Sequence, residues 1–399
     1  MSTSEISAKV PFMAVSALSA SLDHWLTEQA LPLWREKGYA EPDGGFVETI
    51  DLTGRPTRDH LRARVQPRQT YCFAEAGLRG WAGDWQTPSA GGLAFFDRVF
   101  LQPSGFYGAL ADADGTLLDP AFDIYNQAFA LLAFAYMARA FPERLGEMAE
   151  RSAALKAGLE DWCKHPVAGF EEDNPPRLPL CSNPHMHLFE ACLASEEVEG
   201  FDQVGWTNLA DEIATLCMDR FIDPQTGALR EFFDHDWAPM PGDLGRVVEP
   251  GHQFEWAWLL LRWGERRGDA GAIVKARRLF EIGEAHGICA TRKVAIMQLH
   301  DDFSVRDPLA RLWPQTEWLK AAIRLAALSE GEARERYLVS AERAIAALNL
   351  FLDVPVKGLW RDKLPESGVF IEEAAPASTF YHILCAIYEL KDCLARIRM

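Results

Sequence analysis

The chain has 399 residues, 48% of them hydrophobic and 25% charged, and a formal net charge of −18. That composition belongs to a folded protein with a large core, and the acidity excludes nucleic acid and anionic lipid surfaces as partners. Eight cysteines stand apart with no C-x-x-C pair or ligand-like spacing, which predicts a reducing, cytoplasmic location. The opening MSTSEISAKVPFMAVSALSASLDHW has no basic start and only a short apolar run. It reads as the beginning of a helix, and no later segment is long enough to cross a membrane.

In chain order, the apolar periodicity predicts twelve helices, at 14–37, 60–80, 87–101, 122–141, 145–165, 184–196, 202–221, 250–267, 270–287, 308–328, 332–352 and 377–396. No long Pro/Gly/Ser linker or charge block divides them, so residues 1–399 are expected to form one domain. Odd-numbered helices are amphipathic, as in ERLGEMAERSAALKAGLEDWCK. Even-numbered ones are apolar nearly all round, as in NQAFALLAFAYMARA and STFYHILCAIYEL. Helices apolar on every side must be enclosed, and amphipathic ones can enclose them. Between each odd helix and the next even one lies a similar insert: GGFVETI, SGFYGALADADG, AGFEEDN, GALREFFDHDW, AIMQLHDDF and KGLWRDKLP. Most pair a glycine with an aromatic residue, and a carboxylate or other charge often follows. Helix–insert–helix therefore recurs six times, with a period of about sixty residues. Six inner helices ringed by six outer ones make an all-α (α/α)6 barrel. An open helical solenoid would not need the alternation of inner and outer character.

In such a barrel the N-termini of the inner helices open onto one face together with the inserts. Polar residues gather in register there: Arg68 in QPRQTY, Tyr125 and Asn126 in DIYNQAF, and Asn183 and His187 in SNPHMHLFEA. The remaining inner helices bring His252 and Glu255 in GHQFEW, Trp313, Gln315 and Glu317 in LWPQTEW, and His382 in STFYHI. Any one of these alone reads as a cap or a core residue. Six clusters in step with a sixfold repeat read as a shared site.

His252 and His382, on different inner helices, form the natural acid/base pair, since imidazole titrates near neutrality. Glu255, one turn from His252, is expected to fix its tautomer, and Arg68 to neutralise an oxygen that becomes anionic. Helix N-termini add positive potential at that oxygen. This set suits proton abstraction next to a carbonyl through an enediol or enediolate. Asn183, His187, Gln315 and Glu317 could then hold hydroxyls and Trp313 could stack on a sugar ring. No H-E-x-x-H, phosphate-loop or dinucleotide motif is present, so neither metal nor cofactor is expected. Cys72, near Arg68, has no activating base and reads as packing. The competing chemistry, glycoside hydrolysis, needs two carboxylates. Asp43, Asp301 or Asp302, and Glu372 or Glu373 are the candidates, all in inserts or before helices. A non-catalytic sugar-binding scaffold would explain the repeat but not the two histidines.

At GGFVETIDLTG, PRQTYCFA, YNQAFALLA, NPHMHLFEA, EPGHQFEWAWLL, WPQTEW and FYHI the chain resembles the N-acylglucosamine 2-epimerase family over nearly its whole length. The resemblance implies a cofactor-independent sugar 2-epimerase or aldose–ketose isomerase on an (α/α)6 barrel. It also implies His252 and His382 as the acid/base pair, assisted by Arg68, His187 and Glu255, with Asn183 on the substrate. Epimerases of N-acyl sugars or disaccharides tend to carry a Trp shortly before the last His, where this chain has AAPASTFYH. Its absence leans the reading toward a mannose-type isomerase acting on D-mannose and D-fructose. Mannose 6-phosphate is the other substrate considered, with Arg246 and Arg62 or Arg64 meeting the phosphate. A homodimer is the one macromolecular assembly left open.

Overall fold

The computed structural model describes residues 3–41 and 44–398. Among them are twelve long helices: α1 (Thr3–Trp25), α2 (Val65–Leu78), α3 (Gln86–Phe100), α4 (Ile124–Ala140), α5 (Leu145–Cys163), α6 (Ser182–Ser195), α7 (Gln203–Leu216), α8 (Pro250–Arg267), α9 (Ala270–His286), α10 (Trp313–Ala327), α11 (Gly331–Leu352) and α12 (Phe380–Arg398). Each corresponds to a predicted helix. α1 begins earlier than the predicted 14 and continues through irregular turns to Gly38. The predicted starts at 60 and 308 are too early because the chain there is extended. Leu61–Arg62 pairs with Leu110–Ala111, and Ala310–Arg311 with Lys363–Leu364.

The even helices form a ring in which α2 meets α4, α4 meets α6, and so on to α12, which packs back on α2. That last contact closes the barrel and excludes the solenoid. Each odd helix from α3 onward packs outside the even helix before it, while α1 packs on α11 and α12 and so completes the outer ring. The burial pattern follows from the sequence. In α5 the buried residues are Met148, Ser152, Leu155, Leu159 and Cys163, one stripe at helical spacing. In α4 nearly every residue is buried, with Ala128, Ala130, Ala133 and Ala135 allowing neighbouring backbones to approach. One hydrophobic cluster runs from Val15 to Leu394. No helix among the described residues is long and apolar enough to cross a membrane.

The inserts lie at the N-terminal ends of the inner helices and are fastened there by a repeated device. The side-chain amide of Gln66 accepts from the Phe46 N–H and donates to the Phe46 carbonyl, both at 2.8 Å. Gln127 does the same with Tyr107, Gln253 with Leu229 and Gln315 with Ala295. In the third repeat His185 Nε2 instead accepts from the Phe170 N–H at 3.0 Å. There Gly169, at φ +73°, leaves no side chain to collide with the imidazole. Short antiparallel pairs stitch inserts together, and Ala375–Pro376 pairs with Thr49–Ile50 to join the last repeat to the first.

Candidate active site

Fastening each insert fixes what the residue two positions further on can reach, because side chains alternate along an extended chain. In three of the fastened repeats that residue is an acid, Glu48, Glu172 and Glu231, and Asp362 is a further buried acid in the last insert. Glu48 receives Arg62, Asp362 receives Arg311 at 2.7 Å, and Glu172 accepts from the Cys181 N–H at 2.8 Å. Glu231 reaches His252, with its Oε2 at 2.9 Å from Nδ1. Ser182 donates to the same carboxylate oxygen at 2.6 Å, and Glu249 stands 3.4 Å from the same imidazole nitrogen.

A cavity of about 420 Å³ opens at this end of the barrel, a size usual for small-molecule sites (about 300–1,000 Å³). Arg68, Tyr125, Asn183, His187, His252, Glu255, Trp313 and His382 all line it. The two histidines flank Trp313, whose ring centroid is 5.2 Å from His252 and 5.8 Å from His382. Gly251 makes room for that indole, since a Cβ there would fall 2.4 Å from the ring. His382 Nδ1 lies 2.8 Å from Glu317 Oε1. Each imidazole is thus oriented through Nδ1 by its own carboxylate, which leaves Nε2 for the cavity.

The two rings are biased toward opposite charge states. Burial draws the His252 pKa down, but Glu231, Glu249 and Glu255 outweigh it and raise it to about 10. His382 is held well below its ordinary value by burial, then by Arg68 and Lys320, against the opposing charge of Glu190. Because the His252 pKa is raised on folding, its contribution to stability is complete below about 6.5 and is lost as pH rises through about 10. In Glu231→Gln the His252 titration, followed by 15N NMR, is expected to fall from about 10 toward the ordinary imidazole value of about 6.5. An unmoved titration would show that Glu231 is not the group that holds the proton.

Arg68 is enclosed by rings, its guanidinium carbon 4.1 Å from the Phe129 centroid and 5.1 Å from that of Tyr381. It donates to the Tyr125 hydroxyl and, at 3.1 Å, to the Ser378 carbonyl. Asn183 has a buried Oδ1 with no protein partner. His187 sits 3.6 Å from Glu190, which accepts from the Tyr381 hydroxyl, and burial lowers the His187 pKa to about 3. Deeper in the barrel Glu255, Glu317 and Lys320 form a buried charge cluster, with Lys320 Nζ 2.6 Å from Glu317 Oε2. His187, Glu190 and Glu255 form one group whose ligand atoms are close enough to hold a metal ion, and Glu255, Glu317 and His382 form another. Lys320 already places a positive charge beside the second group.

Four residues expected at the site do not line the cavity. Gln315 spends its amide on the Ala295 backbone. Glu317 does not line the cavity and instead holds His382 from behind. Asn126 is buried beside the cavity rather than in its lining. Arg246 pairs with Asp301 and Asp302, both at 2.9 Å, away from the cavity. Glu255 does not set the His252 tautomer, since Glu231 occupies that position. The carboxylates considered for hydrolysis are spread among outer ion pairs: Asp301 also binds Arg230, Glu372 binds Arg361 and Glu373 binds Lys363. Asp43 lies outside the described residues. Glu231, Glu249, Lys320 and Arg311 are the site residues that helix-face reasoning missed. The acid two residues beyond a clamped insert position, shared by Glu48, Glu172 and Glu231, is the signal that finds Glu231.

The fold and site together define a closed (α/α)6 barrel with a polar, histidine-bearing cavity at its mouth. Residues 44–386 match the model of the N-acylglucosamine 2-epimerase family, and the chain belongs to that family. It is 71% identical to the mannose-6-phosphate isomerase of Rhizobium meliloti (strain 1021), over 96% of this chain and all of that one. It is 25% identical to the D-mannose isomerase of Marinomonas mediterranea, over 89% of this chain and 92% of the relative. A crystal structure of D-mannose isomerase superposes with a TM-score of 0.84 at 21% identity, covering 94% of this chain and 97% of that one. Cellobiose 2-epimerase from Spirochaeta thermophila gives the same TM-score at 20% identity, covering 96% and 98%.

Proposed function

We propose that this enzyme is an aldose–ketose isomerase that interconverts a mannose-type aldose with the corresponding fructose-type ketose. The observation that carries this reading is the pair of buried imidazoles on either side of Trp313, each held by a separate carboxylate and biased to opposite charge states. Such a split assigns the base and the acid. Neutral His382 removes the C2 proton of the open-chain aldose, and the C–H electrons form the C1=C2 double bond. Imidazolium His252 delivers its proton to O1 as the carbonyl π pair moves there. In the second half neutral His252 takes the O2 proton and the O–H electrons form the C2=O bond. The C1=C2 pair takes a proton at C1 from imidazolium His382, which yields the ketose and restores both rings. Arg68 offers its donor fork to the oxygen that carries negative charge, and Asn183 and His187 bind hydroxyls. Tyr125 supports Arg68 through its hydroxyl.

The relatives named for D-mannose and mannose-6-phosphate support a hexose with this C1–C2 end. Ser378 and Thr379 line the mouth where a bulkier platform for a larger sugar would stand, which also favours a monosaccharide. The route calls on no cofactor. A cytoplasmic location is supported by the eight cysteines, all of them free. Homodimer formation is decided by light scattering on the purified chain.

The reading is tested by incubating the protein with D-mannose and, separately, D-mannose 6-phosphate in D2O with EDTA, followed by NMR. Ketose carrying solvent deuterium at C1 is the expected product. A C2-epimeric aldose as the primary product would replace isomerase with epimerase, and no ketose from either sugar would end the proposal.

A further inference from the structure

Four arginines line the cavity: Arg62, Arg64, Arg68 and Arg311. Two are neutralised by protein carboxylates, Arg62 by Glu48 and Arg311 by Asp362. Arg68 is committed to the Tyr125 hydroxyl, the Ser378 carbonyl and its cage of rings. Arg64 is different. Among the described residues its guanidinium has no hydrogen-bond acceptor and no carboxylate at ion-pair distance, and its Nε is buried without a partner. It rests over the Tyr125 ring, 5.0 Å from the centroid. Asp123 is the acid whose field it feels, but that carboxylate is spent capping α4 through the Tyr125 N–H at 2.8 Å.

A partly buried guanidinium without an acceptor is costly to keep. A neutral hydroxyl would repay little of that cost, whereas a phosphate can take two parallel N–H···O bonds from the fork. The surrounding protein carries a net charge of −18, so an anionic ligand would be admitted only where such local positive charge outweighs the overall field. We infer that Arg64 is the anchor of a phosphate subsite in the cavity, flanked by Arg62, and that the preferred substrate is a hexose phosphorylated at the end remote from C1. This rests on the isomerase reading above and deepens it. It also replaces Arg246, which lies outside the cavity, as the phosphate-binding residue.

The test compares kcat/KM for D-mannose 6-phosphate and D-mannose in the full-length wild type, Arg64→Gln and Arg64→Lys. The wild type is expected to favour the phosphate ester. Arg64→Gln should lower the ratio of the two kcat/KM values by roughly 10- to 100-fold, as befits loss of hydrogen bonds to a charged group. Arg64→Lys keeps the charge without the fork and should fall between, which separates lost recognition from lost folding. Inorganic phosphate should compete with substrate in the wild type and lose that effect in Arg64→Gln. If the wild type prefers D-mannose, or if the ratio and the phosphate inhibition survive Arg64→Gln, the subsite is overturned while the isomerase reading stands. If neither sugar is turned over, the isomerase reading fails. The subsite is then judged by calorimetric titration with inorganic phosphate: binding abolished by Arg64→Gln supports it, and no binding to the wild type overturns it.

Discussion

Replacing His382 with Asn is expected to lower kcat/KM by about 10²- to 10⁴-fold while leaving the barrel folded, and His252→Asn should do the same. The fold should survive because both imidazoles face the cavity from the first turns of α8 and α12, and neither fills a gap between core side chains. The two losses should not multiply in the double variant, since a base without its acid partner forms no enediol efficiently. Isotope exchange distinguishes the roles. His382→Asn should abolish wash-in of solvent deuterium at carbon. His252→Asn should slow it through weaker activation of the carbonyl, and should remove the alkaline limb that His252 would otherwise set near pH 10. Circular dichroism checks the fold, and steady-state kinetics with NMR exchange check the chemistry. Near-wild-type turnover in either variant would sink the assignment.

Much of this arrangement is legible in the sequence, for a physical reason. An inner helix must be apolar all round, so a histidine at its mouth stands out against Leu, Phe and Ala. A repeat of about sixty residues then brings each such exception to the same rim. The failures share a cause as well. Periodicity says which helix face a residue is on but not how far its side chain extends. Glu255 is one turn from His252, yet its neighbours are Glu317 and Lys320 toward the barrel axis. The acid that holds His252 comes from an insert 21 residues upstream, positioned by the Gln253 amide gripping Leu229. Gln315 defeats the same reasoning because a buried amide that serves backbone looks, in sequence, like one that serves a ligand. Arg246 lies beside the site helix in sequence, but Asp301 and Asp302 reach it first. Lys320, inside WPQTEWLKAAIRLAAL, is a charged exception within a largely buried inner helix.

Lys320→Met should therefore be the most damaging substitution away from the cavity wall. The ammonium is fully buried, 2.6 Å from Glu317 and 3.8 Å from the Trp258 ring centroid. Burial alone would strip its proton, but Glu317 and then Glu255 hold its pKa above the ordinary lysine value. Methionine matches the volume and removes the charge, which leaves two carboxylates buried together. Breaking a buried pair from one side costs about 3–5 kcal/mol. The cost has a predictable pH dependence. Burial raises the pKa of both Glu255 and Glu317 on folding, so the folded state takes up protons that the unfolded chain releases. Stability then falls as pH rises above the unfolded carboxylate value of about 4.3, and the loss of Lys320 deepens that fall. The Tm deficit of Lys320→Met relative to wild type should be larger at pH 8 than at pH 5, and Lys320→Met with Glu317→Gln should recover part of it. Activity carries a separate signature. Lys320 is one of the charges that depress His382, so the acid limb of the rate profile should move up in Lys320→Met. Equal melting temperatures at pH 8 would show that the cluster is not held by this lysine. A recovered Tm with the acid limb still displaced would show that Lys320 tunes His382 as well as stabilising the barrel.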